Sequence, residues 1–312
     1  MSRRVHVIAN PAAGQALFDI KTLNTVFGEV GIEWEVHFTK QEGDGKRLAQ
    51  EAITAGADVV AAYGGDGTVA EVASGLVGSA TPLAILPGGT ANVMSIELGI
   101  PSRFPAAIAL LATDELATRS VDVGMVDDRT FMLRVSVGLE AKMVEGADRT
   151  LKDRLGNIAY ALSGLRALRA QEVVRYDFEL DGKQVTEDGI ACIIANSGNL
   201  GLPGVRLAPD IDVSDGLLDV IVINNTNLAT VRMLVASILG QDVATSPEDD
   251  IEEERTVHHW QAKEIRLSTT PSTAVQCDGE MIGNTPKQIR ILPGAIRVVV
   301  PPPAEALGEI EV

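Results

Sequence analysis

The feature that most constrains the fold is the alternation of short apolar strands with amphipathic helices over the first third of the chain. Strands that alternate with helices favour a parallel sheet joined by right-handed crossovers. An α/β fold with at least four parallel strands is therefore predicted for this part. Strands are predicted at residues 5–9, 32–38, 58–63 and 83–86, and helices at residues 20–30, 48–53, about 71–76 and 105–111.

Beyond about residue 121 the pattern becomes rich in strands. Two helical patterns interrupt it, and we therefore expect a second lobe of a different kind. Strands are predicted at residues 131–137, 173–180, 189–195, 217–223, 265–267 and 295–300, and helices at residues 155–168 and 228–239.

Composition excludes several classes of protein. The net charge of −17 disfavours nucleic-acid binding, and no apolar stretch approaches the length needed to span a bilayer. Cys192 and Cys277 cannot form the disulfide framework of a small secreted protein, so a cytoplasmic location with two reduced, buried thiols is expected. The acidic run at residues 248–254 is interpreted as a solvated loop rather than a metal site.

The strongest local motif is the loop Gly64-Gly65-Asp66-Gly67-Thr68, directly after a predicted strand and before a predicted helix. Glycines let the backbone approach a phosphate closely, and amides at a helix start can bind an anion. Asp66 adds a negative charge there, which fits best if Mg²⁺ or a substrate hydroxyl intervenes. A plain tight turn would explain one or two of these glycines, but it would not explain three glycines with an embedded aspartate.

A second loop, Pro87-Gly88-Gly89-Thr90-Ala91-Asn92, follows the next predicted strand. Loops at the carboxyl ends of parallel strands converge on one crevice, where open α/β sheets bind ligands. Thr90 and Asn92 are therefore candidate phosphate or nucleotide contacts. The alternative is that this loop only caps a helix.

These motifs, taken in order, resemble those of the diacylglycerol kinase catalytic-domain family, which includes soluble bacterial lipid kinases and the sphingosine and ceramide kinases. The resemblance covers nearly the whole chain. It rests on Asn10-Pro11 with Gly14, Thr39, the loop at residues 64–68 with Glu71, the loop at residues 87–92, Leu207-Ala208-Pro209, the segment at residues 215–220, and Asp278-Gly279-Glu280.

The resemblance implies an ATP-dependent lipid kinase with two lobes. The first, residues 1–121 with a returning segment at about 294–304, would be a phosphofructokinase-like, Rossmann-like nucleotide domain. The second, residues 122–293, would be a β-sandwich that takes the lipid. The ATP-binding residues implied are Asn10, Thr39, Gly64, Gly65, Asp66, Gly67, Thr68, Glu71, Gly89, Thr90 and Asn92.

The resemblance also implies metal sites and partners. Asp66 would lie near the phosphates and Mg²⁺, while Asp212, Asp215 and the carbonyl of Leu217 would hold a second, structural Mg²⁺. Without the resemblance, Asp212 and Asp215 would be interpreted as a turn before a strand. The partner would be a lipid alcohol, such as diacylglycerol or a related lipid, and a homodimer is possible.

Phosphoryl transfer also needs a group that accepts the proton of the attacking hydroxyl. Glu280 is the candidate base, and Asp278 would lie on the same face if the segment were extended. One of the two carboxylates could instead bind Mg²⁺ or order the hydrogen-bond network. The residues alone equally allow an ordinary hairpin turn at this position.

Two other functions stay open. NAD kinase shares the Gly-Gly-Asp-Gly-Thr loop and the two-lobed plan. A non-catalytic nucleotide- or lipid-binding module would need neither the Asp278 nor the Glu280 carboxylate.

The helical pattern at residues 155–168 carries an apolar stripe with arginines around it. Such a helix either packs in the core or docks on an anionic bilayer, which would place the protein at the inner membrane surface.

Overall fold

A computed structural model describes residues 2–13, 18–138, 173–201, 204, 206–224 and 257–303 of the chain. Gly14, the helices predicted at residues 155–168 and 228–239, and the acidic run at residues 248–254 lie outside the described residues. Within the described ranges, no helix is both long and apolar enough to cross a membrane.

The first part of the chain alternates strands and helices, as the sequence predicts. Four strands lie side by side in the order β2-β1-β3-β4, all parallel. The fold class is therefore confirmed for this part. The elements are β1 (Arg4–Ala9), α1 (Ile20–Val30), β2 (Glu33–Phe38), α2 (Asp44–Thr54), β3 (Val59–Gly64), α3 (Asp66–Leu76), β4 (Leu83–Pro87), α4 (Val93–Glu97) and α5 (Phe104–Ala109).

Local chemistry sets the ends of these helices. At the start of α1 the side chain of Asp19 accepts hydrogen bonds from the amides of Lys21 and Thr22, which satisfies donors that have no partner within the helix. Gly31 ends α1 with φ of 70°, a left-handed conformation that glycine adopts without steric cost. The helix therefore begins and ends where its sequence signals predict.

The second part of the chain is almost entirely β-structure. Some of its strands extend the parallel sheet in the order β4-β16-β13-β8-β9, with β5 paired to β16 and β6, and the rest form a second sheet in the order β12-β11-β10-β7-β14-β15. The strands are β5 (Thr118–Val126), β6 (Arg129–Phe131), β7 (Arg134–Val137), β8 (Val174–Leu180), β9 (Lys183–Gly189), β10 (Ala191–Ala195), β11 (Leu218–Ile223), β12 (Val257–Ala262), β13 (Glu264–Thr270), β14 (Ala274–Cys277), β15 (Glu280–Asn284) and β16 (Lys287–Val299).

Two large clusters of buried apolar side chains lie mainly in one part each, and the first also includes Val123, Met132, Leu133 and Val213 of the second part. One lies around the parallel strands and their helices and includes Leu23, Phe27 and Leu86, while the other lies between the two sheets of the second part and includes Tyr176 and Phe178. The returning strand β16 pairs with β5 from Ile289 to Val299 and with β4 at Val298. We propose the domain division at residues 1–121 with 294–304 and 122–293 on the support of these two clusters.

Several elements differ from the sequence prediction. The strand predicted at residues 131–137 is two strands, β6 and β7, because the amides between them turn toward the carboxylate of Asp278. Strand β9 was not predicted, because its Lys183–Gly189 segment is mostly polar, and it pairs with β8 alone. Helix α4, which is only five residues long, was also not predicted.

Candidate functional site

The predicted ATP-binding segments lie together at the carboxyl ends of the four parallel strands. Asn10 follows β1, Thr39 follows β2, and the two glycine loops follow β3 and β4. Backbone hydrogen bonds join them: the amide of Asn10 donates to Tyr63 O at 3.0 Å, that of Thr39 to Ala9 O at 3.0 Å, and that of Gly88 to Gly64 O at 2.9 Å. The convergence of the two loops on one edge is therefore as predicted.

The two glycine loops touch backbone to backbone. A Cβ atom on Gly89 would lie 2.5 Å from the Cα of Gly65, and one on Gly64 would lie 2.5 Å from the side chain of Thr68. Both distances are far below van der Waals contact. Gly89 is thus required by packing between the loops, and Gly64 by packing within the first loop, independently of any phosphate.

The start of α3 has the properties of an anion site. Gly65 is the N-cap and forms no side-chain capping bond, so the first-turn amides lack that partner. Gly67 is exposed, and nothing lies within 4 Å of where its Cβ would be. Thr68 Oγ1 accepts a hydrogen bond from Asn10 Nδ2 at 3.2 Å, which ties the loop after β1 to this helix.

Asp66 is the first residue of α3, and its Oδ1 accepts a hydrogen bond from the amide of Met94 at 3.2 Å. This bond connects the first loop to α4 beyond the second. A negative charge at the first turn also interacts favourably with the helix dipole. The carboxylate is therefore fixed at the junction of both loops.

Three other predicted ATP contacts have different surroundings. Thr90 is exposed. The side chain of Asn92 closes its own loop, because Oδ1 accepts from Gly89 N and Nδ2 donates to Gly89 O, both at 2.9 Å. Glu71 Oε2 accepts from the amide of Gly45 at 2.8 Å and so fastens α3 to α2.

Asp278 and Glu280 do not share a face, which corrects the extended arrangement considered above. Asp278 and Gly279 form the turn between β14 and β15, with φ of 47° and 90°. Asp278 points inward and accepts hydrogen bonds from the amides of Met132, Leu133 and Arg134 at 2.8 to 3.0 Å. Burial raises the pKa of Asp278, and the three amides act in the opposite direction.

Replacing Asp278 with Asn is expected to lower the free energy of unfolding by about 1–3 kcal/mol. Asn tolerates the left-handed backbone of this turn, but its NH₂ group would face one of the three amides now bound by the carboxylate. Urea denaturation would measure the loss. If Glu280 is the base, the folded fraction keeps most of its turnover, whereas an unchanged stability with lost turnover would contradict this structural role.

Glu280, unlike Asp278, has a side chain that is not turned inward. About half of its side chain is exposed, and it forms an ion pair with Arg129 on β6. It lines a cavity of about 260 Å³ whose other wall includes Gly67, Ala70 and Glu71 of α3. The fold thus places the carboxylate of Glu280 and the first turns of α3 around one space, with Arg129 and Lys46 as cationic neighbours.

The proposed metal residues lie in the loop before β11. Asp212 is ion-paired with Arg119 and accepts from Ser214 N, and Asp215 Oδ1 accepts from Leu217 N at 2.9 Å. Burial raises the pKa of Asp215, and the negative charges of Asp219, Asp122 and Asp212 raise it further. Several carboxylates thus act on one another electrostatically at this loop.

Asp122 is a connecting residue that the sequence analysis missed. It is buried on β5, where its Oδ2 accepts from Gly216 N at 2.7 Å and its Oδ1 from Gly294 N at 2.6 Å. These bonds fasten both the loop before β11 and the irregular point of β16. The available signal was a charged residue between Val121 and Val123 in an apolar run.

Glu97 at the end of α4 is a second such residue. Its carboxylate accepts from Ser197 Oγ at 2.8 Å, Asn199 N at 2.9 Å and Arg206 Nη1 at 2.9 Å. It therefore links the helix after the second glycine loop to the β-rich part. No local pattern marks Glu97 or Arg129, because their partners are distant in sequence.

The fold and this site together define a two-part α/β protein with paired glycine loops at the edge of a parallel sheet. Residues 4–126 match the family described as the diacylglycerol kinase catalytic domain, and residues 133–300 match the YegS C-terminal NAD kinase beta sandwich-like domain. The chain therefore belongs to the diacylglycerol kinase catalytic-domain family.

Similar proteins extend over the same length. The chain is 27% identical to "Diacylglycerol kinase" of Bacillus subtilis, with 96% of this chain and 97% of the relative covered. It is 33% identical to "Probable lipid kinase YegS-like" of Pseudomonas aeruginosa, with 90% and 89% covered. A crystal structure of a diacylglycerol kinase from Bacillus anthracis has a TM-score of 0.75 and 27% identity, with 96% and 97% covered.

Proposed function

We propose that this protein is an ATP-dependent lipid kinase that transfers the γ-phosphate to a hydroxyl of diacylglycerol or a related lipid. The observation that carries the proposal is the cavity shared by Glu280 and the start of α3. Membership of the family, with relatives named as diacylglycerol and lipid kinases, supports the acceptor class.

The residues of the loops at the carboxyl ends of the parallel strands fit a nucleoside triphosphate. The first-turn amides of α3 lack a side-chain cap, and Gly67 leaves open space beside them, which suits close approach of phosphate oxygens. Asp66 offers a carboxylate oxygen, the ligand type that Mg²⁺ prefers. Asn10, Thr39, Thr68 and Thr90 supply further hydrogen-bonding groups at the same edge of the sheet.

In the proposed reaction Glu280 accepts the proton of the lipid hydroxyl as the oxygen of that hydroxyl bonds to the γ-phosphorus. The bond from the γ-phosphorus to the bridging oxygen breaks, and ADP leaves. Arg129 holds the Glu280 side chain toward the cavity. Asp278 acts indirectly, because its three amide bonds fix the turn from which Glu280 projects.

The direct test is incubation with γ-labelled ATP and a panel of acceptors, followed by identification of the labelled product. Diacylglycerol, phosphatidylglycerol, a sphingoid base and NAD should be presented separately. Label in a lipid phosphate supports the proposal. Label in NAD instead would favour the NAD kinase alternative, and binding of ATP without any transfer would favour a non-catalytic module.

We also propose a second, structural Mg²⁺ at Asp212, Asp215 and the carbonyl of Leu217. The surroundings fit a cation: in the part of the chain that the structure describes, the buried Oδ2 of neighbouring Asp219 has no hydrogen-bond partner. One oxygen each of Asp212 and Asp215 is already bound by Arg119 and Leu217 N, respectively. Oxygen ligands suit this ion, which also retains several waters.

Replacing Asp215 with Ala is expected to reduce both activity and the stabilisation that Mg²⁺ gives. A ligand that binds only the folded state raises the melting temperature, by roughly 2–4 °C for each kcal/mol in a domain of this size. Thermal unfolding with and without Mg²⁺ would be compared with Asp210→Ala, an exposed aspartate of the same segment. An equal response to Mg²⁺ in parent and Asp215→Ala would rule out this site.

Two further parts of the proposal concern partners. A homodimer stays a prediction. Peripheral contact with a membrane also stays a prediction, because residues 155–168 lie outside the described residues. The basic and apolar residues of that segment in the sequence support membrane contact.

A further inference from the structure

Two histidines and a glutamate lie together on β1 and the edge strand β2, apart from the kinase site. In the parallel register, His6 on β1 is paired with Glu35 on β2, and Ile8 is paired with His37. Because side chains alternate along a strand, Glu35 and His37 lie on the same face of β2. Among the described residues, this is the one group of three histidine, cysteine or acidic side chains whose ligand atoms all lie within 4.8 Å of one another.

The distances match those of a zinc site. His6 Nδ1 and His37 Nε2 are 3.2 Å apart, and His37 Nε2 is 3.6 Å from Glu35 Oε2. Tetrahedral Zn²⁺ binds nitrogen and carboxylate oxygen at about 2.0–2.2 Å, which places neighbouring ligand atoms about 3.3–3.5 Å from one another. The three side chains therefore need little movement to share one ion.

The environment also suits a metal. His6 is only 6% exposed, and burial lowers the pKa of its imidazole, with the charges of His37 and Arg4 acting in the same direction and Glu35 against it. A neutral imidazole keeps the lone pair that a metal requires. The side chains of His37 and Glu35 are 33% and 67% exposed, which leaves a path for an ion and for a water as fourth ligand.

We propose that His6, Glu35 and His37 form a binding site for a transition-metal ion of the Zn²⁺ type. The two imidazoles select against Mg²⁺, whose ligands are oxygens. The ion would fasten edge strand β2 to β1, with His6 four residues before Asn10 and His37 two residues before Thr39. It is a stabilising site, separate from the Mg²⁺ of the kinase reaction.

The test uses the full chain with Zn²⁺ alone, followed by nuclear magnetic resonance of the histidine rings. The chain has only four histidines, so each ring can be assigned. His258 and His259 are internal controls, since each pairs with a single carboxylate, Glu187 and Asp219 respectively. We expect the ring signals of His6 and His37 to shift at one equivalent of Zn²⁺ while those of His258 and His259 stay unchanged.

A matched pair of variants isolates the site. His37→Gln removes one proposed ligand from a partly exposed position, and His258→Gln removes a histidine of the other sheet. Calorimetric titration of folded protein should give a Zn²⁺ affinity at least about tenfold weaker in His37→Gln and unchanged in His258→Gln. Glu35→Gln, at a still more exposed ligand, should weaken binding in the same direction.

Three results would overturn the proposal. The first is equal Zn²⁺ affinity in His37→Gln and the parent. The second is a shift confined to the His258 and His259 signals. The third is a parent that binds no Zn²⁺, which would mean that His6 and His37 share only a hydrogen bond between their rings. Because these measurements need neither ATP nor lipid, failure of the kinase proposal would not affect them.

Discussion

Replacing Asp66 with Asn is expected to lower kcat for phosphoryl transfer to lipid at least about 100-fold, the scale seen when one preorganised electrostatic group is removed from an active site. Asn keeps the shape of the side chain and an oxygen that can accept from Met94 N. The change therefore removes charge with little effect on packing. Initial rates at saturating ATP and lipid would measure it, with KM for ATP determined in parallel.

Asp58→Asn is the matched control for Asp66→Asn. Asp58 precedes β3, whereas Asp66 follows it, so the two aspartates lie at opposite ends of the same strand. Asp58 is exposed and accepts a hydrogen bond from Arg4 N at 2.7 Å. Its variant should keep parental kcat. Comparable losses in both variants, or a full kcat in Asp66→Asn, would exclude a role for the Asp66 charge in transfer.

Replacing Glu280 with Gln should lower kcat by two or more orders of magnitude, since a positioned general base contributes about 10²- to 10⁴-fold. The side chain is half exposed and lies on a short hairpin, so the fold should persist. KM for ATP is expected to change little, because the lost group acts on the acceptor hydroxyl. Steady-state rates would measure the loss of kcat, and circular dichroism would verify that the variant is folded.

Glu280→Gln also breaks the ion pair with Arg129, and Arg129→Ala separates the two effects. Both variants remove the pair, but only Glu280→Gln removes the carboxylate. We expect Arg129→Ala to act more on KM for ATP than on kcat, because the guanidinium lines the cavity near α3. A kcat loss in Arg129→Ala as large as that in Glu280→Gln would assign the effect to the ion pair and remove Glu280 as base.

The two parts of the chain line one cavity from opposite sides. Gly67 and Glu71 come from the parallel-sheet part, and Glu280 comes from the β-rich part. Glu97 links the same two parts at α4, through Ser197, Asn199 and Arg206. Phosphoryl transfer depends chiefly on positioning and charge. Relative placement of the two parts is therefore a direct determinant of rate in the proposed reaction.

Much of the first part of the fold follows from sequence. The predicted strand at residues 5–9 is β1, and the predicted helix at residues 20–30 is α1 with the same bounds. These elements are set by interactions between residues a few positions apart, through apolar periodicity and helix caps. One strand missed in the second part, β9, is mostly polar and is defined by its pairing with β8.

The sequence by itself determined the family, the alternation of strands and helices in the first part, and the two glycine loops at the carboxyl ends of parallel strands. Only the tertiary structure decided that Asp278 and Glu280, which are two residues apart, point in different directions and bind different partners. Asp278 turns inward to amides 144 to 146 residues away, and Glu280 turns outward to Arg129, 151 residues away. Local periodicity carries no information about contacts at such separations, because long-range packing and burial select those partners.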